Sequence, residues 1–358
     1  MTAAAQRSRP RRTRAAALEY PLAPPHTDGS VVEVAEGILW VRLPMPIALD
    51  HVEVYLLRDD DGWTIVDTGL PTDATRALWE RIAAGQFGRL PVKAVLCTHF
   101  HYDHAGLAGW LGERFGAPVC MTHGEYFTLR TMCLPLPDPM TASQREFFAR
   151  AGMPEARMQR MWDAVRRDPF TPVPPQAFRR LRGGDELTLA KRRWRVVVGE
   201  GHSPEHACLY CEADRILIAG DQLLSRITSN VLVSSLEPEA NPLQLWFDSL
   251  HRLERLAPDT LVLPSHQGVF RGLHARARAL REHHEAQFET LRAGLAETGS
   301  LTAFEAMGRL YPALRWPVDD LLALGETIAH LSWLRYAGQV QRVLDDDGIH
   351  RFRLAEHA

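Results

Sequence analysis

The chain has 358 residues, of which 46% are hydrophobic, so it can bury a full core in one large domain or two. Its formal net charge of −3 provides no overall attraction to nucleic acid or to anionic lipid. The five cysteines are odd in number and irregularly spaced, which excludes a disulfide scaffold and predicts buried thiols, including Cys208 and Cys211.

Residues 1–30 form a basic segment rich in arginine, alanine and proline, and we predict that it is a disordered tail. It lacks the apolar core of a secretory signal, and the chain contains no apolar run of transmembrane length. An organellar transit peptide would share the arginine-rich character of this tail. The sequence therefore argues against export and a membrane partner, and we predict a cytoplasmic location.

Four strands are predicted after this tail, because apolar and β-branched residues alternate between turn residues. They cover residues 31–34, 38–43, 52–57 and 63–66. An antiparallel start of this kind is typical of one half of a β-sandwich. The fourth strand ends at Asp67, which the residues alone would identify as a turn aspartate. Thr72 is then expected to cap a helix that runs to about Ala84.

A buried strand at residues 91–98 leads into a cluster of polar side chains, and a helix is predicted after Asp103 that runs to about Phe115. His99, His101, Asp103 and His104 lie within six residues. A single histidine is usually an ordinary core or surface residue, but imidazole nitrogens and carboxylate oxygens at this spacing are typical metal ligands. One loop cannot place all four around one ion, so we expect His99 and His101 to face one ion and Asp103 and His104 to face a second.

This His-x-His-x-Asp-His pattern resembles the signature of the metallo-β-lactamase-fold hydrolases. The resemblance implies three further ligands after later strands, and the sequence provides His202, Asp221 and His266 at those positions. It assigns His99, His101 and His202 to one ion and Asp103, His104 and His266 to the other. Asp221 would bridge the two ions, and we expect Asp103 and Asp221 to contribute to catalysis as well as to metal binding. The predicted cofactors are two divalent ions, zinc first, with iron or manganese as alternatives.

The resemblance also implies roles for three residues around the ligands. Asp67 would hydrogen-bond a ligand and orient it. His123 follows the strand at residues 118–121 and is expected in the substrate pocket. Glu205 stands where glycine is usual in the family, so either its carboxylate projects towards the site or the turn has a different shape.

The resemblance implies an α+β fold, the four-layer αββα metallo-β-lactamase sandwich, for residues 31–271. Within it, residues 124–181 are rich in proline and contain two amphipathic stretches, which predicts a helical insertion or lid. Residues 272–358 are predicted to form three helices and a closing hairpin, which resemble a small winged-helix appendage. Because acidic residues 345–347 lie in that hairpin, packing or homodimer formation is favoured over nucleic-acid binding.

The resemblance implies a hydrolase in which paired ions lower the pKa of a shared water and supply hydroxide at neutral pH. We therefore expect a small-molecule acyl substrate, a thioester, lactone or related ester, in a protein closest to the glyoxalase-II-like branch. Two alternatives remain open, a phosphodiesterase or ribonuclease of the same fold and a mononuclear-iron sulfur dioxygenase. A catalytically inactive interaction module is disfavoured because no ligand position is lost.

Overall fold

The computed structural model of the protein describes residues 18–167, 170–314 and 316–356. Residues 1–17 of the predicted basic tail lie outside these ranges. The prediction of disorder is wrong for the end of the tail, because Glu19 forms a backbone bridge with Arg271 and Leu22 packs against the core. The bridge uses two hydrogen bonds, with N–O distances of 3.2 and 2.8 Å.

The first sheet contains seven strands that neighbour one another in chain order. They are β1 (Val31–Ala35), β2 (Ile38–Pro44), β3 (His51–Asp59), β4 (Gly62–Val66), β5 (Val92–Leu96), β6 (Val119–Thr122) and β7 (Arg179–Leu181). Strands β1 to β4 pair antiparallel, as predicted, and β4 to β7 pair parallel. The sequence does not predict β7, because this strand has only three residues and two of them are exposed arginines.

The second sheet contains six strands in the order β13-β12-β11-β10-β9-β8. They are β8 (Glu186–Leu189), β9 (Arg192–Gly199), β10 (His206–Cys211), β11 (Ile216–Gly220), β12 (Leu261–Pro264) and β13 (Phe270–Arg271). Strands β11 and β12 are parallel, so their carboxyl ends lie side by side at one edge of the sandwich. Cys208 and Cys211 are buried free thiols in β10, as predicted.

Ten helices accompany the two sheets within the described residues. They are α1 (Asp73–Ile82), α2 (Tyr102–Ala105), α3 (Ala108–Phe115), α4 (His123–Met132), α5 (Ala142–Arg150), α6 (Glu155–Arg166), α7 (Pro242–Leu253), α8 (Leu273–Thr298), α9 (Ala303–Leu310) and α10 (Pro317–Tyr336). A π-helical turn at Ala83–Phe87 extends α1. The Thr72 side chain caps α1 by accepting a hydrogen bond from the Thr75 amide, as the sequence predicts.

Apolar residues divide into three packed clusters that define four layers. Between the sheets, Trp40 and Tyr55 of the first sheet share a cluster with Trp194 and Leu209 of the second. Helices α1, α3 and α4 cover the outer face of the first sheet, and α6, α7, α8 and α10 cover that of the second. This arrangement confirms the predicted α+β class and the αββα sandwich.

The single helix predicted from Asp103 to Phe115 is instead two helices, α2 and α3. The chain breaks at Leu107, whose amide donates to the Thr68 hydroxyl at 3.0 Å rather than to the preceding turn. Gly106 is required at this break, since a Cβ there would lie 2.1 Å from the Tyr102 carbonyl oxygen. The break allows the metal-ligand loop to turn over the end of β4.

The insertion predicted at residues 124–181 contains α4, α5, α6 and β7, although α4 begins one residue earlier. Helices α5 and α6 pack towards the chain's carboxyl-terminal part: Arg157 donates to Asp320 at 2.7 and 2.6 Å, and the Phe304 amide donates to the Ala151 carbonyl at 2.9 Å. Its role as a lid stays a prediction.

The three helices and hairpin expected after residue 272 are present as α8, α9, α10, β14 (Val340–Leu344) and β15 (His350–Leu354). Leu301 adds a short bridge to Phe352 beside the hairpin. Their apolar residues join the cluster beneath the second sheet, so these helices form part of the outer layer. The specific likeness to a winged helix stays a prediction.

Among the helices of residues 18–167, 170–314 and 316–356, none combines the length and the apolar character needed to cross a bilayer.

Candidate metal centre

The seven predicted ligands come together at the carboxyl ends of strands from both sheets. β5 leads into the loop and helix that carry His99, His101, Asp103 and His104. The β9–β10 turn carries His202, and the ends of β11 and β12 are followed by Asp221 and His266. Strand termini place these side chains because rigid strands fix the backbone while the following loops are free to turn inward.

The first group consists of three imidazoles. His99 Nε2 lies 2.9 Å from His101 Nδ1 and 3.3 Å from His202 Nε2. The second group consists of a carboxylate and two imidazoles, in which Asp103 Oδ2 lies 3.4 Å from both His104 Nε2 and His266 Nε2. In each group the three potential ligand atoms lie within 4.8 Å of one another. This is the division into two triads that the sequence predicts.

Asp221 lies between the triads and directs one oxygen to each. Its Oδ2 is 3.7 Å from His202 Nε2, whereas its Oδ1 is 3.6 Å from His104 Nε2 and 3.4 Å from His266 Nε2. A carboxylate in this position can bridge two cations. Its role as a ligand, like that of the other six residues, stays a prediction.

Several polar atoms that face the centre have no hydrogen-bond partner within the described part of the chain. They are His104 Nε2, His266 Nε2 and Asp221 Oδ1, and all three are buried. Leaving a buried polar atom without a partner costs about 1–3 kcal/mol. Divalent cations would satisfy these atoms, so the residues present fit the metal ions that the sequence pattern implies.

The opposite ring nitrogens of three histidines are held by acceptors. His104 Nδ1 donates to Asp67 Oδ2 at 2.9 Å, His202 Nδ1 to the Asn230 carbonyl at 2.7 Å, and His266 Nδ1 to the His51 carbonyl at 2.8 Å. A proton fixed on Nδ1 leaves the Nε2 lone pair free to bind metal. The structure thus places Asp67 where the resemblance implies it, against the candidate ligand His104.

Asp67 also ties the ligand loop to β4. Its two carboxylate oxygens accept the Thr98 amide at 2.7 Å and the Thr98 hydroxyl at 2.8 Å. Its backbone has a φ of 63°, which is uncommon for a residue other than glycine. This strained conformation turns the carboxylate beneath the ligand loop.

Burial and neighbouring imidazoles keep the three rings of the first triad neutral. Burial, together with the neighbouring histidines, lowers the pKa of His99, and burial with the nearby His202 lowers the pKa of His101 to about 3. Burial also lowers the pKa of His202. These rings therefore offer lone pairs at neutral pH rather than protons.

The carboxylates dominate the second triad. Burial opposes ionisation of Asp103 and Asp221, but the adjacent imidazoles outweigh it and hold both pKa values low. Conversely, burial disfavours charge on His104 and His266, yet these carboxylates raise the pKa of both rings. The two carboxylates therefore favour positive charge beside them, on the rings or on a bound cation, and metal binding there would displace protons from the two rings.

His206 is a residue that the sequence analysis missed. Its ring is fully buried and stacks on His99 with the centroids 4.8 Å apart, and its Nε2 accepts the Asp221 amide at 3.1 Å. A Cβ on Gly220 would lie 2.5 Å from this ring. The sequence does carry a signal for His206, which ends the stretch Gly-His-Ser-Pro-Glu-His at residues 201–206, but spacing alone does not distinguish a ligand from a ring that supports one.

Glu125 is a second residue without a sequence prediction. Its Oε1 accepts the Ser203 hydroxyl and the Glu205 amide, each at 2.7 Å, and its Oε2 accepts the Phe100 amide at 2.9 Å. Burial raises the pKa of Glu125 to about 7, although these donors oppose the rise. One side chain thus joins the loop that carries His101 to the turn that carries His202. No local pattern marks it, because all of its partners are distant in sequence or belong to other elements.

The remaining predicted residues lie around α4. The Glu205 carboxylate accepts the Gly124 amide at 2.7 Å, at the start of α4, so it caps that helix instead of joining a triad. His123 is exposed as the first residue of α4, and its ring lies 4.6 Å from that of Phe127. The pocket role of His123 stays a prediction.

Family models match most of the chain. The model described as the metallo-beta-lactamase superfamily matches residues 48–266, which include all seven candidate ligands. A second model, described as a metallo-beta-lactamase-like C-terminal domain, matches residues 296–355.

Individual proteins are also similar, two of them over most of the chain and one over about half of it. A beta-lactamase domain protein from Burkholderia ambifaria, known from its crystal structure, is 41% identical with a TM-score of 0.86, covering 94% of this chain and 98% of that one. The probable metallo-hydrolase YqjP of Bacillus subtilis is 27% identical over 318 residues, 84% of this chain and 92% of the relative. A more distant relative is the human acyl-coenzyme A thioesterase MBLAC2, 25% identical over 199 residues, 52% of this chain and 64% of its own.

Proposed function

Since the chain belongs to the metallo-beta-lactamase superfamily and its relatives are metallo-hydrolases, we propose that its metal centre hydrolyses an acyl thioester, a lactone or a related ester. The observation that carries this proposal is Asp221, which offers one oxygen to each of two ligand triads. We propose two divalent ions, zinc first, as the cofactors. When bound, such ions supply a water of lowered pKa and stabilise negative charge that develops on a carbonyl oxygen.

The chain's own residues would fix the centre rather than attack the substrate. Asp67 and the carbonyls of Asn230 and His51 orient three imidazoles, and His206 holds the Asp221 backbone. Such preorganised ligands spare the reaction the cost of reorganising them. Asp103 and Asp221 stay ionised in the centre, and we propose that their negative charge holds the cations in place during catalysis.

A covalent mechanism through cysteine has little support. Burial raises the pKa of Cys97, Cys120 and Cys208, and it raises the pKa of Cys133 to about 11, so these thiols stay protonated at neutral pH. The thiolate is the nucleophilic form. A sequence elbow of the type Gly-x-Ser-x-Gly, which would mark a serine nucleophile, is also missing from the chain.

Apolar side chains near the ligand loop support an acyl substrate. Phe127, Met132 and Leu134 are exposed at 49%, 40% and 63% along α4 and its end. The Tyr102 hydroxyl donates to the Met132 carbonyl at 2.8 Å, which ties this end of α4 to the helix that carries Asp103 and His104. We propose that these side chains bind the acyl portion. The name of MBLAC2 makes acyl thioesters the first compounds to test.

The test is a substrate panel on full-length protein reconstituted with Zn²⁺. An acyl-coenzyme A thioester, a lactone and bis(p-nitrophenyl) phosphate would be compared, and oxygen uptake with a persulfide would be measured on the iron-loaded protein. We expect hydrolysis of the thioester or the lactone. Turnover of the phosphodiester alone would favour the phosphodiesterase, and oxygen uptake with one iron per chain would favour the sulfur dioxygenase.

A further inference from the structure

A second cluster of ligand-type side chains lies far along the chain from the seven candidate ligands. His284 lies on α8, and Glu326 and His330 lie one turn apart on α10. One nitrogen or carboxylate oxygen from each residue lies within 4.8 Å of the others. Within the described residues, three other groups have this geometry, and all are drawn from the seven candidate ligands: the two triads and the set of His99, His104 and Asp221. The cluster therefore shares their spacing.

The two imidazoles are arranged as a pair. His330 Nδ1 donates to the Glu326 carbonyl at 2.8 Å, so its Nε2 carries a free lone pair. That Nε2 lies 3.1 Å from His284 Nδ1. Two nitrogens bound to one tetrahedral zinc at ~2.0–2.1 Å are separated by about 3.3 Å. The spacing of this pair therefore suits a shared ion as well as a hydrogen bond.

Hydrogen bonds do not fix the tautomer of His284. Its side chain is fully buried, and its Nε2 has no partner within the described part of the chain. The ring proton can therefore lie on Nε2, which leaves Nδ1, the nitrogen that faces His330, with a free lone pair. The rings of Phe247 and Phe288 pack against the pair, with centroid distances of 5.6 Å to His284 and 5.2 Å to His330, so water is largely excluded from this side.

The electrostatics of the cluster favour a cation. Burial lowers the pKa of His284 to about 3 and of His330 to about 4, so both rings are neutral at pH 7. Burial raises the pKa of Glu326 to about 7, and its hydrogen-bond partner is the uncharged Tyr311. Neither the two neutral imidazoles nor the Tyr311 hydroxyl therefore supplies positive charge to the Glu326 carboxylate.

We propose that His284, Glu326 and His330 bind one divalent transition-metal ion of the zinc type at a site separate from the hydrolytic centre. Two neutral imidazoles and one carboxylate are suitable ligands for Zn²⁺, and they leave a fourth position for water. The ion would clamp α8 to α10 and so stabilise the outer helical layer. His284 and Glu326 lie outside residues 48–266, so this site is independent of the seven ligands.

The test is metal stoichiometry on the full chain, stripped with a chelator and titrated with Co²⁺ while the visible absorption is recorded. We expect His330→Gln to bind one equivalent fewer than the wild type and to keep its hydrolytic activity. Glu326→Gln preserves the size of the side chain and should weaken that equivalent at least tenfold. The matched control is His283→Gln, which removes the neighbouring exposed histidine of α8 and should retain the full stoichiometry.

A complementary variant separates the two sites. Asp221→Asn should lose Co²⁺ from the hydrolytic centre and keep the equivalent at His284, together with a metal-dependent rise in the melting temperature. The proposal is overturned if the wild type, His330→Gln and Glu326→Gln bind the same number of ions, or if His283→Gln loses the same equivalent. If His330→Gln does not fold, the near-isosteric Glu326→Gln decides the outcome.

Discussion

At the scale of single residues, the site depends on hydrogen bonds that hold each candidate ligand in place, such as those to His104, His202 and His266. The sequence was sufficient to name the seven candidate ligands and Asp67, because four of the ligands form a recognisable motif and the family resemblance implies the other residues. It could not identify Glu125, whose three donors come from two other loops, since a single sequence carries no record of such contacts. Two alternative roles for Glu205 were compatible with the sequence, and the hydrogen bond from the Gly124 amide to its carboxylate decides between them.

Asp221→Ala should abolish turnover and reduce the metal content of the hydrolytic centre together. The change removes the carboxylate that faces both triads, so both would lose a ligand. Metal content by mass spectrometry and hydrolysis rate would be measured on the same samples. Asp61→Ala is the control, because this exposed aspartate pairs only with surface groups and its loss should leave both quantities unchanged. Undiminished activity in Asp221→Ala would rule out a bridging role.

Glu125→Gln should change how stability depends on pH. The folded pKa of about 7 lies above 4.5, the ordinary pKa of a glutamate, so folding favours the protonated acid and the wild type loses stability as pH rises from about 4.5 to about 7. Glutamine does not titrate. The unfolding free energy of the wild type, measured relative to that of the variant, should therefore fall by about 3 kcal/mol as the pH rises through that window.

The measurement is denaturant unfolding of both proteins from pH 4.5 to 8 in the presence of a chelator, so that metal loss makes no contribution. Glu113→Gln, an exposed glutamate on α3, is the control and should follow the wild type. A constant difference between wild type and Glu125→Gln over the whole range would contradict the account.

At the scale of elements, the sequence predicted most strands and helices to within a few residues, because alternation and capping signals are local. Its errors have physical causes that are not local. The helix at Asp103 breaks because the Leu107 amide bonds Thr68, which is 39 residues away, and β7 exists only because it adds to the edge of β6. The start of α4 is set by a distant capping carboxylate, Glu205.

Glu205→Gly should raise KM for an acyl substrate by up to about tenfold while leaving the metal content unchanged. The change removes a charge-assisted bond to the first turn of α4, which we propose as a wall of the pocket, whereas the Glu205 amide still donates to Glu125. Steady-state kinetics and metal analysis would be compared with Glu205→Gln, which keeps an acceptor for the Gly124 amide. A parallel fall in metal content and activity would show that Glu205 supports the centre directly.

At the scale of the whole molecule, the outer helical layer combines α6 of the insertion with the carboxyl-terminal helices. The sequence pattern predicted the helical segments and the family resemblance implied the sandwich, but neither indicated that the insertion would pack on α10. That contact is formed by Arg157 and Asp320, which are 163 residues apart in the sequence. A single sequence does not reveal such a pairing, since each residue alone looks like a surface charge.

Arg157→Ala should lower the unfolding free energy by on the order of 1–2 kcal/mol. The carboxylate of Asp320 is 8% exposed and would lose a bidentate partner, although the partial exposure of Arg157 limits the cost. Thermal unfolding followed by circular dichroism would measure the change. Arg160→Ala, an exposed arginine of the same helix, should leave the melting temperature unchanged. Equal melting temperatures for the two variants would show that the contact does not hold the layer together.

The central claim is that two cations bind between strand ends gathered from both sheets. Anomalous diffraction at the zinc edge, from crystals of the full chain grown with Zn²⁺, tests it most directly. We predict one peak among His99, His101 and His202 and a second among Asp103, His104 and His266, with Asp221 touching both. A map with a single peak, or with none between these residues, would contradict the account.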